Sequence, residues 1–264
     1  MRRFSAAYLR DTRRGLWDDR SALAPLSLGE RERILDVGSG TGELTRVLAE
    51  ESPATIVAID ADRSLLEHAA NGERFQGDAT RLPFADDAFD LVVCQALLIN
   101  LPDPTMAVRE FARVSSDVVA AIEPDNSRVT IDSSVPAESR LARRARSAYI
   151  EGVETDVTLG PAVADRFRAV GLREVQSTRH VLSRRVSPPY SDAALESAKR
   201  KALGTRIDQQ RATLRAGGLS AAELDDFRSD WREMGRDVVD QMADGEYERE
   251  SAVPFFVTVG RVPD

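Results

Sequence analysis

The stretch Ile34-Leu35-Asp36-Val37-Gly38-Ser39-Gly40-Thr41-Gly42-Glu43-Leu44-Thr45 decides the fold. Apolar residues on both sides of Asp36 predict a short buried strand. Gly38, Gly40 and Gly42 then punctuate the chain, and the spacing of Leu44, Val47 and Leu48 predicts a helix. A strand, a glycine-rich turn and a helix are the opening of a nucleotide-binding βαβ unit. Glycines there let backbone N–H groups approach a ligand closely, and the helix N-terminus adds a partial positive charge. The spacing is G-x-G-x-G rather than the G-x-G-x-x-G of a dinucleotide site, and an acid sits inside the strand.

Outward from this stretch, strands and helices continue to alternate. Thr55–Asp60 is a β-branched run ending in an acid about 20 residues past the glycines, where Rossmann-type sites offer a carboxylate to ribose hydroxyls. One carboxylate accepts from two hydroxyls at once, so Asp60 is expected at a ligand. A helix is predicted over 63–70, with Asp62 or Ser64 as its cap and His68 at its surface. The third strand is predicted over 74–79 and the fourth over 91–94. A helix over 105–115 and a wholly apolar fifth strand over 118–122 follow. Open α/β sheets bind ligands outside the carboxyl ends of their strands. Gln95 and Ala96, and then Glu123 and Asp125, leave their strands on that edge.

At 264 residues, 42% hydrophobic and 30% charged, the chain suits one large α/β domain or one domain with an insertion. No apolar run approaches the roughly 18 residues of a membrane span. Met1-Arg2-Arg3-Phe4-Ser5 does not open an apolar signal segment, so a cytoplasmic protein without a membrane partner is expected. Cys94 is the only cysteine and the two histidines are far apart, so neither a disulfide nor a metal site is expected. A net charge of -8 argues against a general nucleic-acid binder.

The glycine stretch resembles motif I of the class I S-adenosylmethionine-dependent methyltransferases, whose glycine loop passes under a cofactor that has no pyrophosphate. Other phrases carry the same resemblance. They are Gly77-Asp78-Ala79, Leu82-Pro83-Phe84 with Phe89-Asp90, Leu101-Pro102-Asp103-Pro104, and Gly160-Pro161 with Phe167-Arg168-Ala169-Val170-Gly171-Leu172. Glu123-Pro124-Asp125 is similar to a subset of small-molecule members. The resemblance covers residues 30–186 and the terminal strand. It implies a Rossmann-like, doubly wound α/β fold with a seven-stranded sheet, an antiparallel last strand, and helical lid and insertion segments. It also implies S-adenosyl-L-methionine as cofactor and S-adenosyl-L-homocysteine as product. The residues placed at the cofactor are Asp36, Gly38, Ser39, Gly40, Gly42, Asp60, Ala61, Gly77, Asp78, Ala79, Gln95 and Ala96. In the family, the Gly-Asp-Ala aspartate accepts from the adenine amine, and the residues after the fourth strand meet the methionine end.

Relatives often carry histidine where this chain has Asn100, which cannot serve as a general base. Glu123, Asp125, Tyr149 and His180 are the candidate catalytic groups. Residues 1–30 are expected to form a helical cap, either at the sheet edge or as a lid with Tyr8 or Trp17 facing inward. The core spans 31–186, with a lid-like helical insertion at 126–158 whose Arg140, Arg143, Arg144 and Arg146 form a solvated face. An edge strand is predicted over 174–186. A charged helical insertion on the substrate side follows over 187–253, broken at Gly217-Gly218, and the last strand lies in 254–264. The expected function is methyl transfer to a small-molecule acceptor, with oligomeric state open. A tRNA or protein methyltransferase and a non-catalytic cofactor-binding protein are the alternatives. Ser187-Pro188-Pro189-Tyr190 looks like the tetrapeptide of amino-directed DNA methyltransferases, but there it follows strand four and here it follows strand six.

Overall fold

The computed structural model describes residues 4–13 and 15–263. Met1, Arg2, Arg3 and Arg14 of the expected cap, and Asp264 after the last strand, lie outside the described residues. In chain order the elements begin α1 (Ala6–Arg13), β1 (Arg33–Val37), α2 (Glu43–Glu51), β2 (Thr55–Asp60), α3 (Arg63–Leu66) and β3 (Glu73–Gln76). They continue β4 (Phe89–Gln95), α4 (Pro104–Val114), β5 (Ser115–Pro124), β6 (Thr130–Ser133), α5 (Pro136–Gly152) and α6 (Val163–Ala169). The remainder are β7 (Arg173–Val186), α7 (Asp192–Leu203), α8 (Thr205–Gln209), α9 (Arg211–Ala216), α10 (Ala221–Ala243) and β8 (Arg249–Arg261).

Strands β1, β2, β4 and β5 are buried along nearly their whole length, as parallel strands covered on both faces must be. The sheet order is β3-β2-β1-β4-β5-β8-β6, with β7 paired to β8. From β1 the chain winds outward through β2 and β3, then returns to lay β4 on the other side of β1. Val37 is therefore flanked by Ile59 and Cys94, and the crevice at the carboxyl ends of β1 and β4 is the topological switch point. β5 runs parallel to β4 and antiparallel to β8, with Glu123 opposite Phe256. Val37, Ile59, Val92, Phe111, Val119 and Phe167 share the main core.

Seven strands were expected and β6 is an eighth. It lies inside a segment that reads as polar and helical, and its β-branched pair Thr130-Ile131 is held by Ala252 and Ser251 of β8. The helix expected over 63–70 closes after one turn at Leu66, with Asp62 accepting from the Ser64 N–H as its cap. No helix among the described residues is long and apolar enough to cross a membrane.

The chain divides into two compact units. The first takes the residues up to Asp125, 158–180 and those from Phe255 onward. The second takes 126–157 and 181–254. In the second unit, α5, α7, α9 and α10 enclose Leu141, Leu224, Phe227, Trp231 and Met234. Two of its helices touch at backbone distance: a Cβ on Gly235 would stand 2.3 Å from the Ala202 nitrogen. α10 starts with a complete capping box, in which Ser220 and Glu223 each bond the other's backbone N–H. The proline tetrapeptide at 187–190 belongs to this unit too. The Tyr190 hydroxyl donates to the Tyr247 carbonyl at 3.0 Å, a packing bond and not a ligand contact.

Candidate active site

The glycine loop leaves β1 with Gly38, Gly40 and Gly42 at φ of 69°, 57° and 81°, the left-handed region that side chains avoid. The N–H groups of Gly38 and Ser39 both donate to the Ile59 carbonyl, at 2.7 and 3.2 Å, which ties the loop to the end of β2. Asp60 braces it from the same side. Its Oδ2 accepts from the Gly40 N–H at 2.8 Å and its Oδ1 from the Asp62 N–H at 2.8 Å. Burial raises the Asp60 pKa, and these two bonds oppose the rise. Each oxygen keeps a lone pair for a further donor.

Asp36, on β1 itself, is 1% exposed and accepts from the Thr45 hydroxyl at 2.6 Å. It fastens β1 to the first turn of α2, and burial pushes its carboxyl up to about 6. On the β3 side, the Gly77 N–H donates to the Asp60 carbonyl at 3.0 Å. A Cβ there would meet Ile59 at 2.6 Å. Asp78 is exposed and takes both the N–H and the hydroxyl of Thr80 at 2.8 Å. Ala79 packs on the core, and exposed Ala61 receives the Gln76 amide on its carbonyl at 3.1 Å.

The opposite wall is the exit of β4. Ala96 sits at φ 49°, a conformation that costs a non-glycine residue roughly 1–2 kcal/mol. Its surroundings hold it there. The Ala96 N–H donates to the Ile122 carbonyl at 2.9 Å, and Asn100 Nδ2 donates to the Ala96 carbonyl at 2.7 Å. Glu123, with no exposed surface, accepts from the N–H groups of Leu97, Leu98 and Ile99 at 2.9, 2.8 and 3.3 Å. The Cys94 thiol donates to the same carboxylate at 3.6 Å. Burial pushes the Glu123 carboxyl up to about 7, with the backbone bonds pulling the other way.

Sequence reasoning missed most of the third wall, the N-terminal segment. α1 lies against the glycine loop: a Cβ on Gly40 would stand 2.9 Å from Arg13 Nη1 and 3.0 Å from Leu9 Cδ1. Arg13 reaches Glu43 Oε2 and the Gln95 carbonyl, both at 3.5 Å. Trp17 turns inward, 6% exposed, and its indole N–H donates to Gln95 Oε1 at 3.2 Å. Tyr8 instead is 53% exposed and stacks on Phe4. Trp17 was visible as an aromatic in an amphipathic helix, whereas nothing in the spacing marks Arg13.

The residues expected at the cofactor thus line the carboxyl ends of β1 to β4, apart from Asp36, which lies within β1. The expected catalytic groups are dispersed. Glu123 has its oxygens engaged by the β4 exit, and Asp125 is buried at 3% exposure two residues on. His180 is half-buried near Asp19, whose carboxyl is held low first by its bonds to Ser21 and in smaller part by that imidazole. Tyr149 stands on α5 in the second unit.

Residues 35–117 match a family described as a methyltransferase domain. Methyltransferase GfsG of Streptomyces halstedii is 34% identical over 125 residues, covering 38% of this chain and 45% of that protein. A demethylmenaquinone methyltransferase of Mycobacterium marinum is 38% identical over 127 residues, covering 47% of this chain and 51% of that one. The chain therefore spans about half the length of these relatives. Among solved structures, a candidate methyltransferase of Bacillus halodurans superposes with a TM-score of 0.56 at 16% identity, over 94% of this chain and 100% of that one. YcgJ of Bacillus subtilis gives 0.51 at 16% identity, over 93% and 100%. These two share the fold. Residues 35–117, which hold the glycine loop and Asp60, are thus similar to methyltransferase domains, within the fold that the two solved structures share.

Proposed function

We propose that this chain transfers a methyl group from S-adenosyl-L-methionine to a small-molecule acceptor. The observation that carries the reading is the Asp60 carboxylate, lodged between the Gly40 and Asp62 N–H groups at the switch-point crevice. Its remaining lone pairs suit a vicinal diol.

The surrounding residues fit the cofactor. Gly38 leaves no room for a Cβ, which would stand 2.7 Å from Leu97, so this part of the loop presents only backbone. Ser39 Oγ and Gln95 Nε2 are buried without a hydrogen-bond partner among the described residues. That leaves polar capacity for the amino-acid end of the molecule. Gly77, Asp78 and Ala79 follow β3 at the place where the adenine would lie.

When bound, the cofactor supplies a methyl group on a sulfonium, an electrophile already activated for transfer. The protein's own work is then orientation and exclusion of water. In this reading Asp60 fixes the ribose, α1 with Trp17 screens the crevice, and Glu123 shapes the β4 exit. For an acceptor that needs deprotonation, Asp125, Tyr149 and His180 remain the groups we would test as base. We assign acceptor choice to the second unit, because the matched segment 35–117 lies wholly in the first. The acceptors named for relatives such as the demethylmenaquinone methyltransferase are small molecules. The net charge of -8 favours such an acceptor over a nucleic acid, and a cytoplasmic location is part of the same reading.

Calorimetric titration with S-adenosylhomocysteine tests the proposal. Micromolar binding to the wild type is expected, with a loss of roughly 10- to 100-fold in Asp60→Ala. A folded wild type that takes up no S-adenosylhomocysteine would overturn it.

A further inference from the structure

We propose that Arg143, Arg146 and Arg206 of the second unit form a binding site for one anionic group, a carboxylate or a phosphate, and that the small-molecule acceptor carries it. The assignment to an acceptor rests on the methyl-transfer reading above, whereas the site itself is built from the second unit alone.

The four arginines of α5 were expected to share a solvated face, and their surroundings differ. Arg140, Arg143 and Arg144 are exposed, but Arg146 is half-buried. Arg144 lies over the Phe227 ring, 5.2 Å from its centroid, which occupies its guanidinium. Arg143 and Arg146 stand three residues apart, on one side of the helix. Arg146 Nη1 donates to the Val129 carbonyl, an uncharged partner. Neither Arg143 nor Arg146 makes an ion pair among the described residues.

What surrounds Arg146 is more positive charge. Burial lowers its pKa, the like charges of Arg206 and Arg143 lower it further, and no carboxylate offsets them. Arg206 presses on Lys201 in the same sense, but that lysine is paired with Glu138. Several other arginines of the unit are matched too: Arg228 to Asp208 at 2.6 Å, Arg211 to Asp225 at 2.8 Å and Arg249 to Glu138 at 3.1 Å.

The backbone fixes this gathering. α5 and α9 cross at main-chain distance. A Cβ on Gly152 would stand 1.9 Å from the Thr213 carbonyl oxygen, and one on Gly217 would stand 1.8 Å from that of Ala148. α8, which carries Arg206, runs into α9 through Gln210 alone and starts from Gly204 at φ 75°. The helix is thus anchored at both ends. Like charges assembled around a half-buried guanidinium destabilise the fold until an anion joins them. Guanidinium forks present paired N–H donors that match the oxygens of a carboxylate or phosphate. The chain carries a net charge of -8, so the cationic cluster is local and suits one small anion better than a long polyanion.

The test titrates inorganic phosphate and benzoate into the full chain at fixed ionic strength, with chloride as the reference salt. Wild type is compared with Arg146→Met, Arg206→Met and Arg185→Met. The last removes an exposed arginine of the same unit that pairs with Glu248. Saturable wild-type binding of at least one probe is expected, and the tighter probe tells which anionic group the acceptor carries. Arg146→Met and Arg206→Met should weaken that binding roughly 10- to 100-fold, and Arg185→Met should leave it unchanged. Equal losses in all three variants, or no preference over chloride, would overturn the site. Displacement of phosphate by stoichiometric single-stranded RNA would overturn the small-molecule assignment. S-adenosylhomocysteine titrated into the same samples separates the two readings. If it binds while neither anion does, the site falls and methyl transfer stands. If the wild type takes phosphate but no S-adenosylhomocysteine, the site stands and its assignment to an acceptor falls.

Discussion

Glu123 is a costly way to hold a loop, since a carboxylate without exposed surface is destabilised whenever it ionises. Its pKa of about 7 lies above the ordinary 4.5, so over this interval the native protein binds more protons than the unfolded chain. Stability that is full below the ordinary value is therefore lost as pH rises through about 7. Urea unfolding should give a wild-type midpoint that falls from about pH 5 to about pH 8. Glu123→Gln should flatten that fall, at a cost of about 1–3 kcal/mol at the acid end because its NH2 must face a backbone N–H. Parallel pH profiles for the two proteins would rule this account out. The place of Asp60 at the end of β2 was legible in the sequence, because a β-branched run ends there about 20 residues past the glycines. The role of Glu123 was not, because it depends on N–H groups of Leu97, Leu98 and Ile99, brought close only when β5 lies beside β4.

Single elements make their own predictions. Removing the α10 cap with Ser220→Ala should cost about 1 kcal/mol. Gly235→Ala, in the interior of the same helix, improves intrinsic propensity yet should cost about 1–3 kcal/mol or more, since its methyl meets the Ala202 backbone. Denaturant titration of both variants decides between propensity and packing, and a stabilised Gly235→Ala would contradict the close crossing. The Gly217-Gly218 break was readable because turns carry their own residue signature. The contact at Gly235 was not, since its partner belongs to another helix. β6 escaped for a related reason: four residues of mixed polarity become a strand only when β8 supplies the other half of the ladder.

Across the whole molecule, a second buried carboxylate sets the opposite pH limit. Glu138 in the second unit accepts from the Tyr247 hydroxyl at 2.8 Å, the Ser133 hydroxyl at 2.7 Å and Arg249 Nε at 3.1 Å, and pairs with Lys201. Burial alone would raise its pKa, but Lys201 and Arg249 more than reverse that and hold it below the ordinary 4.5. Its contribution is present above that value and lost as the solution is acidified through the lowered one. Glu138→Ala should destabilise the protein by about 3–5 kcal/mol, as breaking a buried pair does. Glu138→Gln should blunt the acid limb specifically, which circular dichroism during acid titration would show.

The antiparallel pairing of β5 with β8 also bears on how the protein is made. On the ribosome, β5 emerges long before residues 255–261, and all of 126–254 must be translated in between. At about 5–20 residues per second, this leaves an apolar strand with one bare edge for roughly ten seconds, a template for pairing with other nascent chains. A chaperone that shields that edge would raise the yield, and a chain stopped at residue 248 should accumulate as inclusion bodies rather than as a shorter folded protein.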